Sequence, residues 1–377
     1  MARALALAVV GIALLAASAG AGTRAHRSAA FYLSTTQQGL ADIQAHWWDA
    51  KDGWYYDTFN QQPPNMPLAR LWDVYPLFET LVAVAEAQPT QANVSALTSF
   101  ASNAAQLYWN PNLQPYGGYG WYPGQTDRLA EVYFDDSGWW GLSFVGTYKV
   151  THDPQFLTDA RRAFQFIVGS GWRKKGGGTW WETRHDHVTI EPLAAAVMIG
   201  TRLYEAQHRT SDLTSVLKLL RWANAHSFDK NVGLYTKNDK DGSIMDYVQG
   251  LMITANWELC QTLHQNAYCT KAQALADAAA AHFPQQLDWQ PYYDVVYLRW
   301  MLEYGAESGD PRWYQLASDN AERALANARN ESGYFLNDWD GNPVADGILQ
   351  ESSNLELFAR LAATPPPAAT AAGQPGA

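Results

Sequence analysis

The chain has 377 residues, with 37 Asp and Glu against 26 Lys and Arg and a formal net charge of −11 at pH 7. That balance argues against a nucleic-acid partner, because neutralising phosphates calls for clustered cations. The nearest such cluster, Arg173-Lys174-Lys175, is too small for that footprint.

At the N-terminus, Arg3 precedes the apolar run Ala4–Ala17 and the small residues Ala17-Ser18-Ala19-Gly20-Ala21. A charged start, an apolar middle and small residues suited to a signal peptidase make residues 1–21 a signal peptide, too short to span a bilayer. The run has no polar stripe that would make it a buried amphipathic helix. The mature protein is expected to be secreted and free of the membrane once the signal is removed. Residues 22–363 then read as one domain, since no linker-like stretch interrupts them, and residues 364–377 as a disordered Pro/Ala-rich tail.

Helical patterning dominates from there on. Twelve stretches are amphipathic or apolar at helical spacing, at about 29–49, 70–88, 91–108, 137–150, 154–169, 190–207, 212–226, 246–265, 268–283, 291–306, 311–328 and 346–362. Asp153-Pro154 and Asp310-Pro311 each set an N-cap residue before a proline at the first helical position. Between the helices, Gly- and aromatic-rich loops recur about every 45–65 residues, beginning near Asp52, Tyr116, Gly176, Val232, Asp288 and Ser332. Two helices fit each interval, and Thr151–Phe156 echoes Ser308–Trp313. A helix pair with one aromatic loop per repeat is the signature of a helical repeat. Six pairs close into an all-α (α/α)6 barrel. An open solenoid is the alternative, but it usually carries polar-faced capping repeats, and none stands out here.

The 17 Trp and 20 Tyr concentrate in those loops. An aromatic face on a rigid scaffold suits the C–H face of a sugar, and glycine-rich loops sit at surfaces where function resides. The sharpest chemical feature is Val132-Tyr133-Phe134-Asp135-Asp136-Ser137-Gly138-Trp139-Trp140-Gly141. Two adjacent carboxylates just ahead of a helix at 137–150 can face one pocket if the first residue has non-helical dihedrals. A retaining glycosidase needs two carboxyl groups about 5–5.5 Å apart. The plainer reading is that one aspartate caps the helix.

The run from Asp135 to Leu142, followed by Thr147-Tyr148, His152–Leu157 and Ala160-Arg161-Arg162, resembles glycoside hydrolase family 76. The resemblance continues through Gly176–Trp181, Glu191-Pro192-Leu193-Ala194, Arg202-Leu203-Tyr204 and Tyr247-Val248-Gln249-Gly250, covering most of residues 40–360. It implies an (α/α)6 barrel and a retaining endo-α-1,6-mannanase acting on α-mannan or another mannose-containing polysaccharide. Asp135 would be the nucleophile and Asp136 the general acid/base. The family usually has Asn where this chain has Ile190 and Val248, and both departures touch loops to which the resemblance assigns sugar contact.

Candidate substrate contacts are Trp72, Asp73, Tyr133, Trp139, Trp140, Trp181, Glu191, Tyr247 and Gln249. His185-Asp186-His187 lacks a third ligand, so neither a metal nor another cofactor is expected. Cys260 and Cys269, nine residues apart, either staple a turn between two helices or remain free thiols; an oxidising compartment favours the disulfide. A monomer is expected. A transglycosylase, a sugar epimerase or a non-catalytic glycan binder on the same scaffold are the competing functions, because fold alone does not decide among them.

Overall fold

The computed structural model describes residues 27–58, 67–345 and 347–367, so the expected signal peptide and residues 368–377 of the expected tail lie outside it. Twelve α-helices occur among the described residues: α1 (Ala29–His46), α2 (Leu71–Ala87), α3 (Gln91–Tyr108), α4 (Phe134–Thr151), α5 (Pro154–Gln165), α6 (Glu191–Gln207), α7 (Thr210–His226), α8 (Asp246–Leu263), α9 (Asn266–His282), α10 (Pro291–Ser308), α11 (Pro311–Asn327) and α12 (Ile348–Ala363). A π-helical turn, Phe166–Gly171, extends α5. No described helix is long and apolar enough to cross a membrane.

The even-numbered helices pack one on the next from α2 to α12, and α12 returns to pack on α2. That contact closes the ring and rules out an open solenoid. The odd-numbered helices pack outside it, α1 on α12, α3 on α2 and so on around to α11 on α10. Each layer has the burial pattern its place requires. Along α6, every residue from Glu191 to Leu203 is buried. Along α7 only Asp212, Val216, Leu219, Leu220 and Ala223 are buried, a single stripe at helical spacing. The α4–α6 approach depends on glycine, since a Cβ at Gly138 would sit 2.6 Å from the Ala195 Cβ.

Connections differ between the two ends of the ring. At one end, α4, α6, α8 and α10 turn outward through His152, His208, His264 and Gly309, with φ of 56°, 53°, 54° and 77°. These left-handed residues stop the helix within one turn. At this end Cys260 and Cys269 are bonded, tying α8 to α9 with their Cα atoms 5.3 Å apart. At the other end, the six Gly- and aromatic-rich loops lead into the six inner helices. Four of them fold into two-residue hairpins: β1 (Trp48–Asp49) with β2 (Trp54–Tyr55), β3 (Trp109–Asn110) with β4 (Gly118–Tyr119), β5 (Thr179–Trp180) with β6 (Val188–Thr189), and β7 (Phe228–Asp229) with β8 (Leu234–Tyr235).

Two expectations are corrected here. Helix α4 begins at Phe134, not Ser137, so both aspartates lie inside its first turn, and neither caps it: Tyr133 is the N-cap residue. The Phe134 N–H, which a helix start leaves without an intrahelical partner, donates to the Trp181 carbonyl at 2.8 Å. Trp140, expected to touch substrate, is wholly buried in the wall, with its ring 4.5 Å from that of Tyr108 and its Nε1 donating to Leu71 O at 3.3 Å. Trp140→Ala is therefore expected to cost about 3–5 kcal/mol in a denaturant titration, as deletion of a buried large aromatic does.

Candidate active site

Closing the ring brings six helix N-termini to one end, and each inner helix carries a carboxylate in its first turn: Asp73, Asp135 and Asp136, Glu191, Asp246, Asp294 and Glu351. A helix N-terminus favours a negative side chain. Burying several together opposes ionisation, through lost hydration and mutual repulsion.

Asp135 and Asp136 are positioned by a strand-like clamp. Thr183 N–H donates to Val132 O at 3.0 Å, and Val132 N–H donates to the Thr183 hydroxyl at 3.1 Å. The turn beyond is fixed by buried Glu182, which accepts from the backbone N–H groups of Asp186 at 2.8 Å and His187 at 3.2 Å. Trp181, held between, donates its indole N–H to Asp135 Oδ2 at 3.0 Å. Burial raises the Asp135 carboxyl to about 6, and the Trp181 hydrogen bond is the main force opposing that rise. Asp136 is pushed well above the usual carboxylate range by burial, then by the negative charges of Asp135 and Asp73, with Arg70 opposing. The two neighbours therefore titrate apart, with Asp135 the more acidic.

Around the pair, Asp73 is committed to Arg70, whose backbone N–H and Nε reach its Oδ2 at 2.8 and 2.9 Å. It acts on the site through its charge on Asp136. Glu191 accepts from the Thr189 and Tyr247 hydroxyls. Burial and the charge of Asp135 raise it to about 8. Trp139 lies 6.0 Å from Trp72 and 5.8 Å from Tyr247, and Tyr133 lies 5.0 Å from Trp181. Of the expected contacts, Trp72, Asp73, Tyr133, Trp181, Glu191 and Tyr247 thus gather around the pair, while Trp139, which packs on Trp72 and Tyr247, is itself buried. Gln249 does not: it is fully buried, and its amide group bonds both the N–H and the carbonyl of Tyr235 at 2.9 Å, pinning the β7–β8 hairpin to α8.

Sequence reasoning missed five residues. Tyr293 stacks on Tyr247 at 5.5 Å and lies 6.0 Å from Trp72, with Tyr292 against it at 4.6 Å. Trp289 stacks on Tyr247 at 5.6 Å and stands 43% exposed at the rim, comparable to Trp181 at 38%. Their signal was the aromatic loop Asp288–Tyr293, visible in the sequence but without a direction. Asp246 and Asp294 share a hydrogen bond between α8 and α10; burial lifts Asp246 to about 6, and burial plus the charge of Asp246 lifts Asp294 further. Nothing in the sequence links those two aspartates. His185 lies flat on Trp180 at 5.2 Å, and His187 Nδ1 faces Glu182 at 3.5 Å, so the two histidines have different partners. A cleft of about 640 Å³ runs from Trp180, Trp181 and Glu191 to the loop Lys237–Asp241.

The sequence profile of glycosyl hydrolase family 76 matches residues 32–308, and the chain belongs to that family; it is a glycoside hydrolase. No curated protein matches it. Among solved structures it is similar to a family 76 mannosidase from Bacteroides thetaiotaomicron VPI-5482, with a TM-score of 0.78 and 17% identity over 88% of this chain and 98% of that one. It is also similar to an inactive variant of the α-1,6-mannanase of Salegentibacter sp. HEL1_6, altered at two adjacent aspartates and bound to an α-1,6-linked mannotetraose. That match has a TM-score of 0.70 and 17% identity over 88% and 98% of the two chains. A cellobiose 2-epimerase from Bacillus thermoamylovorans B4167 shares the fold more loosely, with a TM-score of 0.64 and 12% identity over 87% and 98%.

Glu191 supplies a test of this electrostatic picture. Because its folded-state pKa is raised, its contribution to stability is fully present below its unfolded pKa of about 4.3. That contribution is lost as pH rises through about 8. Thermal unfolding across that window is expected to fall less steeply for Glu191→Gln than for the unaltered protein, with the variant relatively more stable at pH 8.

Proposed function

We propose that the protein is a secreted, retaining endo-α-1,6-mannanase with Asp135 as nucleophile and Asp136 as general acid/base. The observation that carries this reading is the unequal treatment of two neighbouring carboxyls. Asp135 receives an indole N–H that favours its ionised form, while Asp136 faces two negative charges that favour its protonated form. An acid kept protonated beside an ionised carboxylate is what a double displacement requires. Asp136 donates its proton to the glycosidic oxygen as Asp135 Oδ attacks the anomeric carbon, breaking the bond to the leaving sugar. Asp136, now a carboxylate, takes a proton from water, whose oxygen displaces Asp135 and restores both groups.

The linkage is supported by the α-1,6-linked mannotetraose and mannotriose bound by the Salegentibacter enzyme variants altered at two adjacent aspartates. Internal cleavage is supported by exposed aromatic platforms on two different connections, Trp181 and Trp289. Secretion is supported by the signal-like sequence of residues 1–21.

Asp135→Asn and Asp136→Asn, each confirmed as folded, are expected to lose at least about 10³-fold in cleavage of linear α-1,6-mannan. The released ends should carry the α configuration in the first NMR spectra. Full activity in either variant, or an inverted product, would sink the assignment. Trp181→Phe removes the hydrogen bond that holds Asp135 down, so the acidic limb of its kcat/KM profile should move to higher pH. A Trp181 that merely touches sugar would change KM and leave that limb in place.

A further inference from the structure

A second cleft, of about 610 Å³, lies against the other side of the β5–β6 hairpin. Its lining carries Arg128, Arg173, Lys174, Lys175 and Arg184 and includes no Asp or Glu. In a chain of net charge −11 this is a local reversal of sign. Arg184 is paired with Glu131 at 2.6 Å and with Asp186 at 3.5 Å. The other four cations form no ion pair among the described residues. Like charges crowded into one concavity repel one another, and a bound anion offsets that repulsion.

Arg173 shows that the cleft is built and not merely charged. Its backbone N–H donates to Gly178 O at 2.9 Å, and its guanidinium lies over the Trp180 ring at 5.7 Å. The group folds back beneath Gly176, where a Cβ would come within 2.8 Å of Nη2. Its Nε is buried with no acceptor among the described residues, a cost unless an acceptor reaches the group. Trp172, Trp180 and Phe134 supply apolar walls, and Leu129 stands 79% exposed at the margin. Arg173 and Trp180 line this cleft and the one leading to Trp181 alike. Phe134 precedes Asp135 in the chain, so the cleft backs directly onto the catalytic wall.

We propose that this cleft is a subsite for a phosphate-class oxyanion carried by the same glycan whose backbone lies in the catalytic cleft. The proposal rests on the mannan reading for the identity of that glycan. Several convergent cations, forked and point-like together, suit an anion with three or more oxygens better than a single carboxylate. The aromatic walls and the shared Arg173 and Trp180 make it a continuation of a sugar site. A long polyanion is disfavoured by the charge of the rest of the chain.

The test uses two preparations of one α-1,6-mannan, the first bearing phosphate substituents and the second enzymatically dephosphorylated. The unaltered protein is expected to show a KM about tenfold lower on the phosphorylated polymer, the order of one charge-assisted contact. That difference should shrink as salt rises, because exposed charges are screened. A triple variant, Arg128→Ala, Lys174→Ala and Lys175→Ala, should lose the difference while keeping its kinetics on the dephosphorylated polymer. Equal KM values on both polymers in the unaltered protein overturn the proposal, as does a triple variant slowed equally on both. Calorimetry with mannose 6-phosphate and with inorganic phosphate separates this from the functional reading. If no mannan is cut, but mannose 6-phosphate binds the unaltered protein and not the triple variant, the mannanase reading fails and the anion subsite stands. Inorganic phosphate binding as tightly as mannose 6-phosphate overturns the assignment to a glycan-borne group.

Discussion

The ring is held shut around Glu79. This carboxylate of α2 is wholly buried, and side chains from three other inner helices converge on it: Ser143 of α4, Arg299 of α10 and Arg360 of α12. The contact between α12 and α2 joins the last inner helix to the first, so everything at the mouth depends on it. Removing one partner from such a buried network typically costs about 3–5 kcal/mol, because the remaining charge is left unpaired. A buried carboxylate on the neighbouring turn of α12, Glu356, accepts no hydrogen bond among the described residues: burial and the charge of Glu79 raise it to about 8, with Arg299 and Arg360 opposing.

With the ring closed, the inner helices start at one end and deliver their first-turn carboxylates there. Charges at helix N-termini are individually favourable. Brought together inside a collar of Trp72, Trp139, Tyr247 and Tyr293, they lose water and repel each other. Asp135 and Asp246 are raised to about 6, Glu351 to about 7 and Glu191 to about 8, and Asp136 and Asp294 well above the usual carboxylate range; the Trp181 indole and backbone N–H groups restrain Asp135, and Arg70 opposes the rise of Asp136. Stability given up at the mouth leaves Asp136 holding its proton more tightly than its neighbour, the inequality on which the proposed mechanism rests.

Much of the architecture was legible along the chain. Helices on the exterior announce themselves through a single apolar stripe, as α7 does. Asp153 and Asp310, ahead of prolines, mark α5 and α11, and both cap as expected, each accepting from the second backbone N–H beyond it. The six aromatic loops mark the six inner-helix starts because each repeat meets the same demand, a turn from the outer to the inner layer. Helix α4 was placed three residues late because its start is set by no local capping side chain. It is set by a strand-like pairing with residues 181–183, about fifty positions away, and no local pattern encodes that.

By itself, then, the sequence determined the helical repeat, its six-fold count and the family, and it offered the adjacent aspartates as a candidate pair, since all of these are written in spacing and in contiguous motifs. Only the tertiary structure decided which way each side chain faces. It sent Trp140 and Gln249 into the wall, turned Tyr293 and Trp289 toward the pair, and joined Asp246 to Asp294. It also set Asp135 apart from Asp136, because the indole and the charges that distinguish them arrive from α2 and from the β5–β6 hairpin. The physical reason is that facing and ionisation are properties of neighbours in space, and in a closed ring most neighbours are distant along the chain.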